Sequence, residues 1–265
     1  MPQNQPRNEA FSSQLLEAID FSAELLRKAR HTVILTGAGF STASGIPDFR
    51  SEGTGLWSRD EPLEVASLRT FRTHPEQFFE WFRPLASQMY EAKPNAAHYA
   101  LADLEQNQRL QAVITQNVDL LHQKAGSKHI IELHGTLNSL TCTECFQAFG
   151  YRNYLAPFVE RGEMPHCTTC GGLLKPDVIL FGEQLPQDAW LAAQREALAC
   201  DLMVVAGSSL EVLPVASLPM KAIEHGAHLV IINQTATYLN VRADIILFED
   251  VAELIPAIVK RVLYG

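Results

Sequence analysis

Four of the five cysteines stand in two tight pairs, Cys142-Thr143-Glu144-Cys145 and Cys167-Thr168-Thr169-Cys170, with 21 residues (146–166) between them. Each Cys-x-x-Cys spacing can turn two thiolates to one side of a knuckle. Two knuckles close a tetrahedral four-sulfur shell of the kind Zn²⁺ prefers. A redox pair or two disulfides would use the same residues, but disulfides are disfavoured in a reducing cytosol. Four thiolates leave no open position, so such a zinc is structural. His166 adjoins Cys167, yet the sulfurs already fill the site, and it reads as a bystander. Cys200 lies in an apolar setting and reads as core packing.

Outside this segment the chain alternates helix and strand patterns. A helix fits Gln14 to Arg30. Short apolar runs recur at Val33-Ile34-Leu35, Ala112-Val113-Ile114, Val178-Ile179-Leu180, Leu202–Ala206, Leu229–Ile232 and Ile245–Phe248. Helical stretches such as Asn95–Glu105 and Asp188–Ala199 lie between several of them. Continuous apolar strands alternating with helices predict an α/β fold with a parallel sheet covered on both faces. Two stretches interrupt the alternation: Ser51 to about Tyr90, read as loops and short helices, and Leu140 to about Pro176. The expected division is a sheet domain of residues 13–50, 91–138 and 177–265. A small domain is built from 51–90 and 139–176, and 1–12 form a flexible tail.

Hydrophobic residues make up 47% of the chain, enough for a sizeable core, and 21 Lys+Arg against 30 Asp+Glu give a net charge of −9. That sign disfavours nucleic acid as a partner, because phosphate contacts need clustered cations. No apolar run approaches the roughly 20 residues that span a bilayer. Met1 to Ala10 lack the apolar centre of a signal peptide. The expectation is a soluble cytoplasmic protein with no membrane partner and no requirement for an oligomer.

Gly37 and Gly39 follow the first strand in Thr36-Gly37-Ala38-Gly39-Phe40-Ser41-Thr42. They suit a plain turn, or a strand-to-helix turn bringing backbone N–H groups to a pyrophosphate. Thr42 occupies the third fingerprint position, and no acidic residue ends a second strand as a dinucleotide fold would have it. Gly45-Ile46-Pro47-Asp48-Phe49-Arg50 comes next, before an aromatic loop from Gly53 to Trp57. Read alone it is equally a turn with an internal ion pair. Thr115-Gln116-Asn117-Val118-Asp119 follows the strand at 112–114, where ligands bind in open α/β sheets. Its amides and carboxylate suit a sugar or a carboxamide, or else a helix cap. His134, after the run Ile130-Ile131, is either structural or a general base working near neutral pH. No Gly-x-Ser-x-Gly elbow accompanies it.

Taken together, and in this order, these motifs resemble the sirtuin family of NAD-dependent protein deacylases, in the bacterial type. Phe181-Gly182-Glu183, Gly207-Ser208-Ser209-Leu210 and Ile232-Asn233 extend the resemblance over nearly the whole chain. It implies a Rossmann-like domain and a smaller domain of zinc ribbon plus helical insertion, with NAD and an acyl-lysine peptide entering the cleft between them. The implied reaction moves the acyl group from lysine to the ADP-ribose part of NAD. Nicotinamide leaves, the acyl oxygen attacks C1′, and His134 acts as general base on a ribose hydroxyl.

The resemblance also implies residue roles. Gly37, Ala38, Gly39 and Thr42 would form the diphosphate turn. Ile46 and Asp119 would hold the carboxamide, with Asp48 and Phe49 near, Phe49 also shielding the ribose centre from water. Arg50 would support the phosphates or the loop. Gln116, Asn117 and Val118 would lie along the ribose, with Asn117 orienting a water. Gly207, Ser208, Ser209, Asn233 and the backbone of Val251 would meet the adenosine side. Cys142, Cys145, Cys167 and Cys170 would hold structural zinc. Val178, Leu180 and Phe181 would border the acyl-lysine tunnel, and Gly182-Glu183 would pair with the substrate backbone.

One departure concerns the acyl group. Relatives that take succinyl-lysine or malonyl-lysine carry Tyr and Arg three residues apart where this chain has Phe82 and Leu85. An apolar pocket cannot pair a carboxylate, so acetyl or longer apolar groups are expected, although a one-residue slip would bring Arg83 into reach. Two further activities fit the same residues: ADP-ribosyl transfer to a protein side chain, and non-enzymatic NAD sensing. Asn117, Asp119 and His134 argue against the sensor, because a pure binder needs no base.

Overall fold

The computed structural model describes residues 11–48 and 62–265. The first ten residues of the expected tail, and residues 49–61 with Phe49, Arg50 and the Gly53–Trp57 loop, lie outside these. Numbered along the chain, the strands are β1 Thr32–Thr36, β2 Ala112–Thr115, β3 Ile130–Glu132, β4 Gly135–Cys142, β5 Ala148–Gly150, β6 Leu174–Val178, β7 Leu202–Ala206, β8 His228–Ile232 and β9 Ile245–Leu247. The helices are α1 Ser13–Lys28, α2 Pro62–Val65, α3 Leu68–Thr73, α4 Pro75–Glu91, α5 Ala96–Gln106, α6 Leu121–Ala125, α7 Arg152–Arg161, α8 Gln187–Ala199, α9 Leu218–Glu224 and α10 Val251–Tyr264.

Six strands form one parallel sheet in the order β3-β2-β1-β7-β8-β9. Side chains alternate strictly between its faces. Ile34, Val113, Val204 and Val230 join one core, which α1, α5 and α10 cover. Val33, Leu35, Ile114, Val205 and Ile231 join the other, which α8 and α9 cover. Both faces are dry, so the central positions of these strands are apolar and polar residues such as Thr32, Thr36, Thr115 and His228 stand at their ends. Each fully buried Val, Leu or Ile contributes about 1.5–3 kcal/mol. The strand order reverses direction at β1, whose neighbours are β2 and β7, and a crevice opens beyond their carboxyl ends.

The second sheet is antiparallel, in the order β5-β4-β6. Here the structure departs from the strand expected at Val178–Leu180. Val178 ends β6 and pairs with Gly135 of β4, while Ile179 and Leu180 leave the sheet. The strand begins earlier, at Leu174, because Leu174, Pro176 and Val178 alternate as its buried positions. The first insertion also differs from loops and short helices, since α4 runs 17 residues. Its Phe78, Phe79, Phe82 and Leu85 share an aromatic core with Phe158 of α7 and with Val178 and Leu180. The predicted tail ends sooner than residue 12: Phe11 packs on the sheet core, and Ser12 caps α1 by accepting from Leu15 N–H at 3.2 Å.

Candidate active site and metal centre

At the end of β1 the chain meets the end of β7 backbone to backbone. Gly39 N–H donates to Gly207 C=O at 2.9 Å, and Gly37 N–H to Ala206 C=O at 3.3 Å. Gly207 has φ +63°, and a Cβ there would lie 2.3 Å from Phe40 N. A Cβ on Gly37 would lie 2.8 Å from Gly207 O. The glycines are therefore required by this contact, whatever ligand lies above. After them come two short 3-10 turns, Ala38–Phe40 and Thr42–Ser44, closed by Gly45 at φ +85°. No long helix springs from the turn, which explains Thr42 in place of a third glycine: there is no helix to pack against the strand. Ala38 and Gly39 are half-buried and Thr42 is exposed, so the turn edges the crevice.

The polar run after β2 crosses beneath this turn. Asn117 Nδ2 donates to Gly37 O (2.9 Å) and to Ser41 Oγ (3.2 Å). Ser41 Oγ donates to Asp119 Oδ2 at 2.7 Å, and Asp119 Oδ1 accepts from Leu121 N–H at 2.9 Å. Asp119 thus does serve as a local cap, and about half of its lone pairs remain for a ligand. It is buried, and burial pushes its pKa up. Gln116 Nε2 reaches across β1 to Ser208 Oγ at 2.8 Å. The Val118 side chain packs on the aromatic core with Val178 and Leu180, which leaves its backbone for a ligand.

His134 lies where the two sheets join. Its Nδ1 is 3.1 Å from the carbonyl oxygen of Gln116. A carbonyl only accepts, so Nδ1 carries the proton and Nε2 keeps a lone pair. Burial lowers its pKa, with the Gln116 contact acting in the opposite sense. The His134 carbonyl accepts from Ile179 N–H at 2.8 Å. Gly135 turns at φ +76°, with Asp177 O only 2.0 Å from where a Cβ would sit. The base candidate is held by main chain on both sides.

Among the remaining site residues, Ile46 is buried and Asp48 is half-buried. Asn233, at the end of β8, turns its amide to Thr235 O at 2.8 Å. The Val251 side chain packs in the sheet core, which leaves only its backbone for a ligand. Ser208 is buried and Ser209 half-buried beside Gly207. Phe181 is 38% exposed. It is tied to the first insertion: its N–H donates to Ala66 O and its C=O accepts from Leu68 N–H, each at 3.0 Å. Glu183 differs from a pure substrate strand. Its N–H donates to Leu180 O (3.0 Å), and its carboxylate accepts from Leu180 N–H (2.8 Å) and Lys175 Nζ (2.9 Å). Phe181 and Glu183 thus already commit backbone groups to the first insertion and to Leu180. Sequence reasoning missed Ser41 and Lys175. Ser41 lies inside the glycine motif, but nothing local marks the reach of Lys175.

An apolar cavity of about 60 Å³ lies between α4, α7 and β4, lined in part by Phe79, Phe82, Leu137, Leu155 and Phe158. Arg83 does not enter it. Its guanidinium donates to Val159 O (2.9 Å) and Glu160 O (3.1 Å), near the end of α7. Lys124 on the lining donates to Met89 O and Ala92 O, each at 3.2 Å.

The four paired cysteines place their sulfurs within 4.8 Å of one another. Cys142 and Cys170 are 3.5 Å apart, and Cys145 and Cys167 3.7 Å. Tetrahedral ligands about 2.3 Å from Zn²⁺ have edges of about 3.8 Å, whereas a disulfide needs about 2.05 Å. The two knuckles repeat each other. Phe146 N–H donates to Cys142 O and Gly171 N–H to Cys167 O, with φ +60° and +77° at Phe146 and Gly171. The residues present fit zinc. His166 turns Nδ1 to Gly171 O (3.2 Å) and stays outside the cluster. Cys200 is buried in the sheet core, and burial pushes its thiol up to about 12.

A parallel sheet with glycine turns at its switch point, amides and a carboxylate beneath them, and a histidine at the joint with a four-cysteine module defines a nucleotide-binding α/β protein with a metal ribbon. The Sir2 family profile matches residues 37–214. NAD-dependent protein deacylase 2 of Archaeoglobus fulgidus is 43% identical over 242 residues, covering 91% of this chain and 94% of that protein. The NAD-dependent protein deacetylase of Oceanobacillus iheyensis is 45% identical over 219 residues, covering 83% and 90%. A Sir2 structure with a deacetylated peptide and 3′-O-acetyl ADP-ribose superposes with TM-score 0.86 at 39% identity, covering 91% and 97%. The chain belongs to the Sir2 family.

Cys142→Ala is expected to abolish a zinc content of roughly one per chain and to lower the melting temperature by about 10 °C or more, because a structural metal's binding energy is folding energy. Metal analysis and a melting curve check both, and an unchanged melt with no metal lost would count against a structural ion.

Proposed function

We propose that this protein is an NAD-dependent protein-lysine deacylase that transfers an apolar acyl group to ADP-ribose and releases nicotinamide. The observation that carries the reading is His134: its Nδ1 proton faces a backbone carbonyl, so the unprotonated Nε2 is available at the joint of the nucleotide crevice and the insertions. When bound, NAD supplies the electrophilic ribose carbon that nicotinamide leaves behind. The chain's residues do the rest. The edge of the turn at Ala38 and the exposed Thr42 meets the diphosphate, while the N–H groups of Gly37 and Gly39 stay committed to the β7 end. Asp119 and Ile46 hold the carboxamide, and Asn117 orients the ribose, its own side chain anchored to Gly37 and Ser41. His134 Nε2 takes a proton from a ribose hydroxyl, which makes that oxygen a nucleophile toward the acyl carbon. Val178, Leu180 and Phe181 border the lysine, and Gly182 offers its backbone to the peptide.

The apolar preference is supported by Phe82 on the cavity wall, by buried Leu85 and by the diversion of Arg83 to α7. Lys124 on the lining already donates to Met89 O and Ala92 O, so a succinyl carboxylate would have to compete with these carbonyls for its only nearby cation among the described lining residues. Four thiols poised for metal also favour a reducing compartment, so the reading includes the cytoplasm.

A panel of acyl-lysine peptides with NAD, read by mass spectrometry, tests the reaction and the acyl choice together. Deacetylation should yield O-acetyl-ADP-ribose and exceed desuccinylation at least tenfold, the scale of an unpaired buried charge. ADP-ribosylated protein as the main product would point to transferase activity, and equal rates would sink the apolar preference. His134→Ala should keep NAD binding and lose about 10²-fold or more of the deacylation rate; wild-type turnover in that variant would refute the role. The base works neutral, so the acidic limb of kcat/KM should have its midpoint below the ordinary imidazole value of 6.5, the direction in which burial moves His134. A pH–rate profile with that limb at or above the ordinary value contradicts the assignment.

A further inference from the structure

Beneath the glycine turn lies an imidazole pair that the proposed chemistry does not use. His98 of α5 and His122 of α6 are 0% and 1% exposed. Their rings are 4.8 Å apart, and Phe40 packs on both. His122 Nε2 is 3.0 Å from Thr36 Oγ1. Thr36 Oγ1 donates to Thr115 Oγ1 at 2.8 Å, and Thr115 Oγ1 accepts from Asn117 N–H at 3.1 Å. Thr36 and Thr115 are register partners that end β1 and β2. From Asn117 the bonds run on through Ser41 to Asp119, and from Asp119 to Leu121 N–H. Leu121 is the chain neighbour of His122, so the path closes into a ring.

The direction of donation is consistent around that ring. Thr36 gives its proton to Thr115, so its oxygen accepts from His122, whose proton sits on Nε2. The other nitrogen, Nδ1, is buried and bonds no group among the described residues. An apolar side chain of equal volume would fill the space under Phe40 without burying an unpaired acceptor, which destabilises a fold. What such a side chain could not supply is the bond to Thr36. Burial holds the ring's pKa down at about 4, so it is neutral at ordinary pH.

We propose that His122 is a positioning residue: through Thr36 and Thr115 it fixes Asn117 and, around the closed ring, Asp119, in the arrangement that receives the nicotinamide–ribose end of NAD. The role rests on the deacylase reading. Three variants separate it from packing. His122→Leu removes the Nε2 bond, His122→Gln offers an amide N–H in its place, and Thr36→Val interrupts the relay without touching the ring. NAD affinity is measured by titration calorimetry. Values of kcat and KM for NAD and acetyl-lysine peptide are taken on protein shown to be folded by circular dichroism.

His122→Leu and Thr36→Val should weaken NAD binding about tenfold and lower kcat/KM for NAD at least as much, with the peptide KM within about twofold of wild type. His122→Gln should return to within about threefold of wild type. If the ring only packs, melting temperatures fall while NAD affinity and kcat of the folded variants stay at wild type, and the proposal is overturned. A Gln variant no better than Leu overturns it too. Should His122→Leu not fold, Thr36→Val with wild-type NAD affinity is the overturning result. A wild-type enzyme that binds NAD without turning over acyl peptide removes the deacylase reading, while the affinity comparison still decides the positioning role.

Discussion

The contact between Gly37–Gly39 and Gly207 is the constraint on which the rest depends. Strands β1 and β7 are neighbours in the parallel sheet, and the segments leaving them touch main chain to main chain. Adding one carbon to Gly207 would bring it within 2.3 Å of Phe40 N. Because the segments approach this closely, Ser41 falls over Asp119 and Asn117 reaches Gly37 O. A wider crevice would leave these amide and carboxylate groups to water, where they would be mobile and strongly solvated. Held as they are, their remaining hydrogen-bonding capacity points into one place before a ligand arrives, and the loss of freedom on binding is smaller.

The second organising feature is the joint between the sheets. The parallel sheet ends at Glu132 of β3, and three residues later the chain is in an antiparallel strand. Gly135 makes that change possible, because its positive φ lets the backbone pass Asp177 O. His134 sits in the corner. It borrows rigidity from both modules, through the Gln116 carbonyl on one side and Ile179 N–H on the other. A histidine on a loop would sample several rotamers and both tautomers. Here the backbone selects one tautomer, as a general base requires.

How much of this was legible in the sequence depended on whether the cause was local. The sheet strands were readable because two dry faces demand uninterrupted apolar runs, and the cysteine pairs because ligand spacing is a local property. Val178–Leu180 misled for the opposite reason: three apolar residues resemble a buried strand, but the pairing that uses Val178 is with Gly135, more than 40 residues earlier. The length of α4 was hidden because its aromatic residues suit loops as well as helices until a partner surface at Phe158 is known. Arg83 was ambiguous for the same reason. Only the position of the α7 carbonyls shows that its cation is engaged elsewhere. Asp119 was open between cap and ligand, and the structure shows the cap, with Oδ1 on Leu121 N–H and Oδ2 on Ser41. A carboxylate has two oxygens, and capping Leu121 with one fixes the direction of the rest.

The same reasoning explains how a closed metal shell can matter to chemistry it cannot perform. Strand β4 begins at Gly135, next to the proposed base, and ends at Cys142, a metal ligand. At about 3.4 Å per residue it spans roughly 25 Å, too far for the ion to polarise a substrate through a solvated protein. Yet β4 is also the strand that pairs with β6 and so places Val178, and its Leu137 lines the apolar cavity with Phe82 and Phe158. The ribbon has a small apolar core of its own, Leu140 and Leu174 with two of the cysteines, flanked by partly buried Phe149, Tyr151 and Tyr154. A core this small gives the strand register limited support from burial. Fixing four sulfurs around one ion supplies the missing restraint at the far end of the strand. The near end is then free to carry a glycine at positive φ and a histidine in a single orientation.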